Sequence, residues 1–128
     1  MTDRRQVTTD GAPAAIGPYS HAIVAGDFVF AAGQVGSDPQ SGELVAGGAA
    51  EQAARALDNL EAVLHAAGSA LDRVVKSTIF LADMADFAAV NEVYAERLPQ
   101  PYPARTTVAV RQLPKGARVE IECIALMA

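Results

Sequence analysis

Near the end of the chain, apolar and polar positions alternate with a period of two. Ala104, Thr106, Val108 and Val110 interleave with Arg105, Thr107, Ala109 and Arg111. This alternation predicts a strand whose two sets of side chains lie on opposite faces. Pro103 stiffens the approach and biases Tyr102 towards an extended conformation. A second alternating run sets Val119, Ile121 and Cys123 against Arg118, Glu120 and Glu122. Leu113-Pro-Lys-Gly116 between them carries turn residues, so the local pattern predicts strand, turn, strand.

Earlier in the chain the same period appears in shorter pieces. Met1 to Asp10 is polar and expected to fray, with room for a short strand around Arg5 to Thr8. Gly11 to Pro18 is a loop rich in Gly, Pro and Ala. Ser20 to Ala25 and Phe28 to Gly33 predict a hairpin, because Gly26-Asp27 suits a two-residue turn of type I′ or II′. Asp38 to Gly42 and Gly47-Gly48 are breakers. The period then becomes helical. Ala53, Ala56, Leu57, Leu60, Val63, Leu64 and Ala67 form one stripe over Ala50 to Ala67. Glu51 in the first turn suits the helix dipole, and Gly68 suits the end. Val74 to Leu81 returns to strand, with Val75, Ser77, Ile79 and Leu81 on one face. Asp83 or Asp86 can cap a second helix whose stripe is Phe87, Val90, Tyr94 and Leu98, and Pro99 ends it. The strand–helix–strand unit ending at Arg105 has the length of a right-handed parallel crossover. The order predicts one α+β domain over residues 1–128, with both helices on one face of the sheet.

Composition narrows the partners. Among 128 residues 51% are hydrophobic, enough for a core, and no apolar run is long enough to span a membrane. A net charge of −5 argues against a nucleic-acid groove, which needs a clustered basic surface. Arg4-Arg5 is followed by polar residues rather than an apolar segment, so an export signal is not expected. The single cysteine, Cys123, excludes an intrachain disulfide, fits a cytoplasmic location and reads as a buried inert thiol.

Cys and His show no metal-site spacing, and no phosphate loop is present. Gly33-Gln-Val-Gly36 lacks the third glycine of a dinucleotide fingerprint. Ser20 and His21 are adjacent on a strand and point to opposite faces, so they make no nucleophilic dyad. His21 and His65 read as structural or surface residues. Arg105 at a strand start, with acids nearby in the chain, can hold a carboxylate in its planar fork. An edge-strand arginine and two solvated glutamates is the competing reading.

Seven stretches carry a resemblance: Ala15-Ile-Gly-Pro-Tyr-Ser-His21, Gly33-Gln-Val-Gly-Ser-Asp-Pro39, Asn59-Leu60, Val75-Lys-Ser-Thr-Ile-Phe-Leu81, Phe87-Ala-Ala-Val-Asn91, Pro103-Ala-Arg105, and Leu113-Pro-Lys-Gly116 followed by Val119-Glu-Ile-Glu122. Together they resemble the RidA family of enamine/imine deaminases, in register over nearly the whole chain. The resemblance implies a chorismate-mutase-like fold, a six-stranded mixed sheet with two helices on one face, assembled as a homotrimer with clefts between subunits. It also implies that the last strand inserts between the hairpin strand and the strand before the second helix, leaving the Arg105 strand at the edge.

The implied reaction is hydrolysis of 2-imino acids, formed from 2-aminoacrylate and its homologues, to 2-oxo acids and ammonia, without a cofactor. Arg105 would hold the carboxylate, and amides near Gly33 and Thr107 the remaining oxygens. Glu120 would position water and shuttle protons, and Tyr19 would add a hydroxyl. The chain departs from the family at Ala32, where the usual Ser is replaced and a hydroxyl beside the site is lost. A non-catalytic 2-oxo acid sensor or chaperone-like trimer is the alternative, keeping Arg105 without needing Glu120. Acidic charge argues against a ribonuclease.

Overall fold

The computed structural model describes residues 3–128; Met1 and Thr2 lie outside them. Six strands form one mixed sheet: β1 (Arg4–Val7), β2 (Ala22–Ala25), β3 (Phe28–Val35), β4 (Val74–Leu81), β5 (Ala104–Ala109) and β6 (Val119–Leu126), with helices α1 (Ala49–Ala67) and α2 (Phe87–Arg97). Their spatial order is β1-β2-β3-β6-β4-β5. β4 and β5 are parallel across α2, and the other pairs are antiparallel.

The hairpin of β2 and β3 forms as expected, with Gly26 at φ 59 in its turn. The short strand expected around Arg5 to Thr8 forms one residue earlier as β1, paired to β2 from Arg4 to Val7. Leu113-Pro-Lys-Gly116 does turn, but the strands on its two sides do not pair. β6 enters between β3 and β4, and β5 is left at the edge, as the resemblance implies.

Both helices cover one face. There Val119, Ile121, Cys123 and Ala125 of β6 meet Leu57, Leu60, Val63 and Leu64 of α1 in a continuous core. Glu51 Oε1 accepts the Gly48 N–H at 2.7 Å and so caps α1, and Gly68 ends the helix at φ 90. Asp83 accepts from Ala85 N–H and caps the short turn before α2. Asp86 does not cap. Its carboxylate takes Arg118 in a two-pronged pair at 3.0 and 3.1 Å, tying the start of α2 to the chain entering β6.

Two positions depart from the expected stripes. Val75 lies where β4 shifts register against β6 and is exposed; Val74 packs against the core instead. Phe87 is 37% exposed, while Val90, Tyr94 and Leu98 are buried. His21 is buried and structural: Nδ1 accepts the Thr9 N–H at 3.2 Å, and Nε2 donates to Pro13 O at 2.7 Å. It staples down the loop that carries Tyr19. His65 is exposed, and Glu61 pairs with Arg97. Burial pushes the Cys123 thiol up to about 12, so it is unreactive. No helix among the described residues is long and apolar enough to cross a membrane.

The face opposite the helices is uncovered. Phe28, Phe30, Val108 and Leu126 are each at least 36% exposed.

Candidate active site

β6 directs Glu120 and Glu122 onto the uncovered face, because Val119, Ile121 and Cys123 take the helix face. β3 crosses beside them with a bulge. Ala31 pairs with Cys123 and Gln34 with Ile121, so Ala32 and Gly33 together oppose the single residue Glu122. Bulges re-aim side chains and free backbone groups from the ladder. Asn59 anchors the far end of this segment. It is fully buried on α1, and its Nδ2 donates to Val35 O and Ser37 O at 3.2 and 2.9 Å. Arg55, one turn earlier, holds its Oδ1.

Close approach excludes a side chain at Gly36 and crowds one at Gly33. A Cβ on Gly36 would lie 2.6 Å from the Gln52 Cα of α1. A Cβ on Gly33 would lie 2.8 Å from Glu120 Cδ and overlap Oε2. The Glu120 carboxylate therefore lies flat across Gly33. The far end of a side chain can swing away, so Gly33→Ala should fold while displacing the carboxylate. The expected result is a normal melting temperature with kcat/KM for the implied imine hydrolysis lowered about ten- to a hundredfold, checked by thermal unfolding beside an assay of ammonia release.

Glu120 lines a cavity of about 590 Å³ with Tyr19, Ala32, Gly33, Glu122 and the Pro114-Lys115 turn. Burial, and then the charge of Glu122, push the Glu120 carboxyl above its usual value. Tyr19 stands on the cavity wall, and its hydroxyl accepts the Ile16 N–H at 3.4 Å. Lys115, read from sequence only as a turn residue, borders the same cavity at φ 60 and donates to Gly42 O.

The other half of the expected site is elsewhere. In the parallel register Arg105 stands opposite Ser77 and Thr107 opposite Ile79. Ser77 and Ile79 face the helices, so Arg105 and Thr107 do too. Ala104, Thr106 and Val108 take the uncovered face. The alternation in β5 is as expected, but the apolar set is the outer one. The guanidinium of Arg105 lies over Tyr94 at 5.0 Å and over Phe87 at 5.8 Å from the ring centres. It borders a hollow of about 380 Å³ with Asn91, Tyr94, Tyr102 and Pro103. Thr107 Oγ1 is buried without a hydrogen-bond partner among the described residues. Tyr19, Ala32, Gly33 and Glu120 thus gather on one side of the sheet, and Arg105 and Thr107 on the other. Tyr94 and Phe87 appeared in the sequence only as members of a helical stripe; their contact with Arg105 had no local signal. Among the described residues no cluster of His, Cys, Asp and Glu is arranged to hold a metal ion.

Known proteins resemble this chain over nearly its whole length. The family model described as Endoribonuclease L-PSP matches residues 9–127. A human protein named 2-iminobutanoate/2-iminopropanoate deaminase is 48% identical over 123 residues, covering 96% of this chain and 90% of the human one. The crystal structure of RidA from a Psychrobacter species superposes with a TM-score of 0.92 at 46% identity, covering 96% and 99% of the two chains. That of E. coli TdcF, determined with bound serine, gives 0.90 at 39% identity, covering 97% and 99%. With these matches in register along nearly its whole length, the chain belongs to the RidA family, whose family model is described as Endoribonuclease L-PSP.

Proposed function

We propose that this protein is an imine deaminase that hydrolyses small 2-imino acids to 2-oxo acids and ammonia in the cytoplasm, as a homotrimer with its sites between subunits. The observation that carries the reading is the Glu120 carboxylate, half-buried, laid across Gly33 in a cavity and biased towards holding a proton. That is the environment of a group that must both accept and return a proton. A 2-oxo acid sensor has no need of it. The deaminase name of the human relative supports the same chemistry.

The substrate carboxylate binds the Arg105 fork, with Thr107 beside it. Starting from the protonated imine, Glu120 takes a proton from water as the water oxygen adds to the imine carbon, and the C=N π pair moves to nitrogen. The product is a neutral carbinolamine. Glu120 then gives that proton to the amino nitrogen, and as the C–N bond breaks and ammonia leaves, the Glu120 carboxylate takes the hydroxyl proton and the carbonyl forms. The imine is already electrophilic, so orientation and one acid–base group suffice.

Arg105 and Glu120 belong to opposite faces of one sheet. A cleft containing both therefore needs Arg105 from one copy and Glu120 from another. The exposed Phe28, Phe30 and Val108 give the uncovered face a reason to associate.

The test generates 2-aminoacrylate with a pyridoxal-phosphate-dependent dehydratase and follows pyruvate release with and without this protein. Acceleration is expected, and an unchanged rate overturns the assignment. Sedimentation should give three times the chain mass; a stable, active monomer overturns the shared cleft.

A further inference from the structure

We propose that Tyr94 and Phe87 are positioning residues that hold the Arg105 guanidinium by its faces and leave its edge N–H groups aimed outwards for a carboxylate. The proposal rests on the reading of Arg105 given above and adds how that arginine is kept ready. The two rings lie seven residues apart on α2, two turns along one side of the helix. Arg105 lies over both, at 5.0 Å from Tyr94 and 5.8 Å from Phe87.

The Tyr94 ring is locked. It is 4% exposed, and its hydroxyl is 2.6 Å from Ser77 Oγ. Ser77 is also the residue directly opposite Arg105 in the β4–β5 register. The arginine, its cross-strand neighbour and the tyrosine therefore close a ring of contacts, each fixing the next. Burial pushes the Tyr94 phenol up, outweighing Ser77 and Arg105, so the ring stays neutral and keeps its negative face.

Stacking restrains a guanidinium differently from an ion pair. An acid would occupy the N–H fork; an aromatic face leaves it open. Among the described residues, Arg55, Arg97 and Arg118 pair with carboxylates, and Arg5 and Arg73 donate to backbone carbonyls. Arg105 has only rings. A long side chain ordered before its ligand arrives loses less freedom on binding, which favours affinity.

The experiment measures 2-oxobutanoate binding by calorimetry, with KM and kcat from the coupled assay, on the full-length assembled protein. Tyr94→Leu and Phe87→Leu should each raise Kd and KM about 3- to 30-fold, with kcat within about twofold, because ground state and transition state share the carboxylate contact. Tyr94→Phe keeps the ring but breaks the hydroxyl bond to Ser77, so it should lower the melting temperature and yet bind nearly as the wild type does. A purely structural tyrosine gives the reverse ranking, with binding following stability. Phe87 is partly exposed, so its leucine variant keeps the test alive where Tyr94→Leu fails to fold. Arg105→Ala runs alongside. If it loses 2-oxobutanoate while both folded leucine variants bind normally, the positioning role is wrong and the carboxylate assignment stands. If Arg105→Ala itself binds normally, both are wrong.

Discussion

Arg105→Ala should lower kcat/KM for imine hydrolysis by about a hundredfold or more. Charge-assisted hydrogen bonds are worth roughly 1.5–3 kcal/mol each, and the planar fork makes two of them to one carboxylate. Losing both removes an interaction present from binding through to the transition state, so KM carries most of the change. Arg105→Lys should fail nearly as badly. A point charge cannot grip two oxygens in one plane, and it stacks poorly on Tyr94 and Phe87. Unchanged 2-oxobutanoate affinity in the alanine variant, measured by calorimetry, would remove Arg105 from the site.

Glu120→Gln should do the opposite: leave 2-oxo acid binding intact and slow hydrolysis by roughly 10²–10⁴. Glutamine preserves the shape that Gly33 accommodates and removes the proton acceptor. The pH dependence follows from the raised carboxyl value. As the base, Glu120 must be ionised, so kcat/KM should fall with acidification at a pH above the ordinary carboxylate range. The stability effect has its own sign. A carboxyl raised on folding favours the folded state while protonated in both states, and that contribution is lost as pH rises through the folded value. Above its raised value the wild type carries an ionised, half-buried Glu120 beside Glu122, and the glutamine variant does not. Glu120→Gln should therefore melt at an equal or higher temperature above that value, the advantage vanishing below the ordinary carboxylate range. Normal imine hydrolysis by this variant would move the catalytic base elsewhere.

The elements were legible where a single local pattern decides them. The alternation over Val74 to Leu81 gives β4 with its observed ends, and the stripe from Ala53 to Ala67 gives α1 almost to the residue. What the pattern could not carry was pairing. Leu113-Pro-Lys-Gly116 reads as a hairpin turn because turn residues report only a local reversal; which strand β6 joins depends on core residues far away in sequence. The family resemblance supplied that order.

Facing was also hidden in β5. Ala104 and Val108 look like core positions, yet they face outwards while Arg105 and Thr107 turn towards the helices. An edge strand with an uncovered apolar face reverses the usual rule, and nothing in a period of two says which face a neighbour will cover. Asp86 was similar: its position suggests a helix cap, but Arg118, 32 residues later, offers a stronger partner. Glu120, Gly33 and Tyr19 were found as candidates from the resemblance, and the structure brings them to one cavity. That the proposed carboxylate-binding arginine stands on the other face was visible only once the register was known.

Placing Arg105 and Glu120 on opposite faces of the sheet has a consequence for inheritance. Two alleles, one encoding Arg105→Ala and one Glu120→Gln, are each expected to be inactive alone. In the proposed ring of three, each cleft would take its arginine from one subunit and its glutamate from the next. Every ring containing both kinds of chain then has one cleft with both residues intact. Random mixing restores about a quarter of the wild-type clefts. Co-expression of the two inactive chains should recover measurable deaminase activity, as no pair of such alleles could in an enzyme whose site lies within one chain.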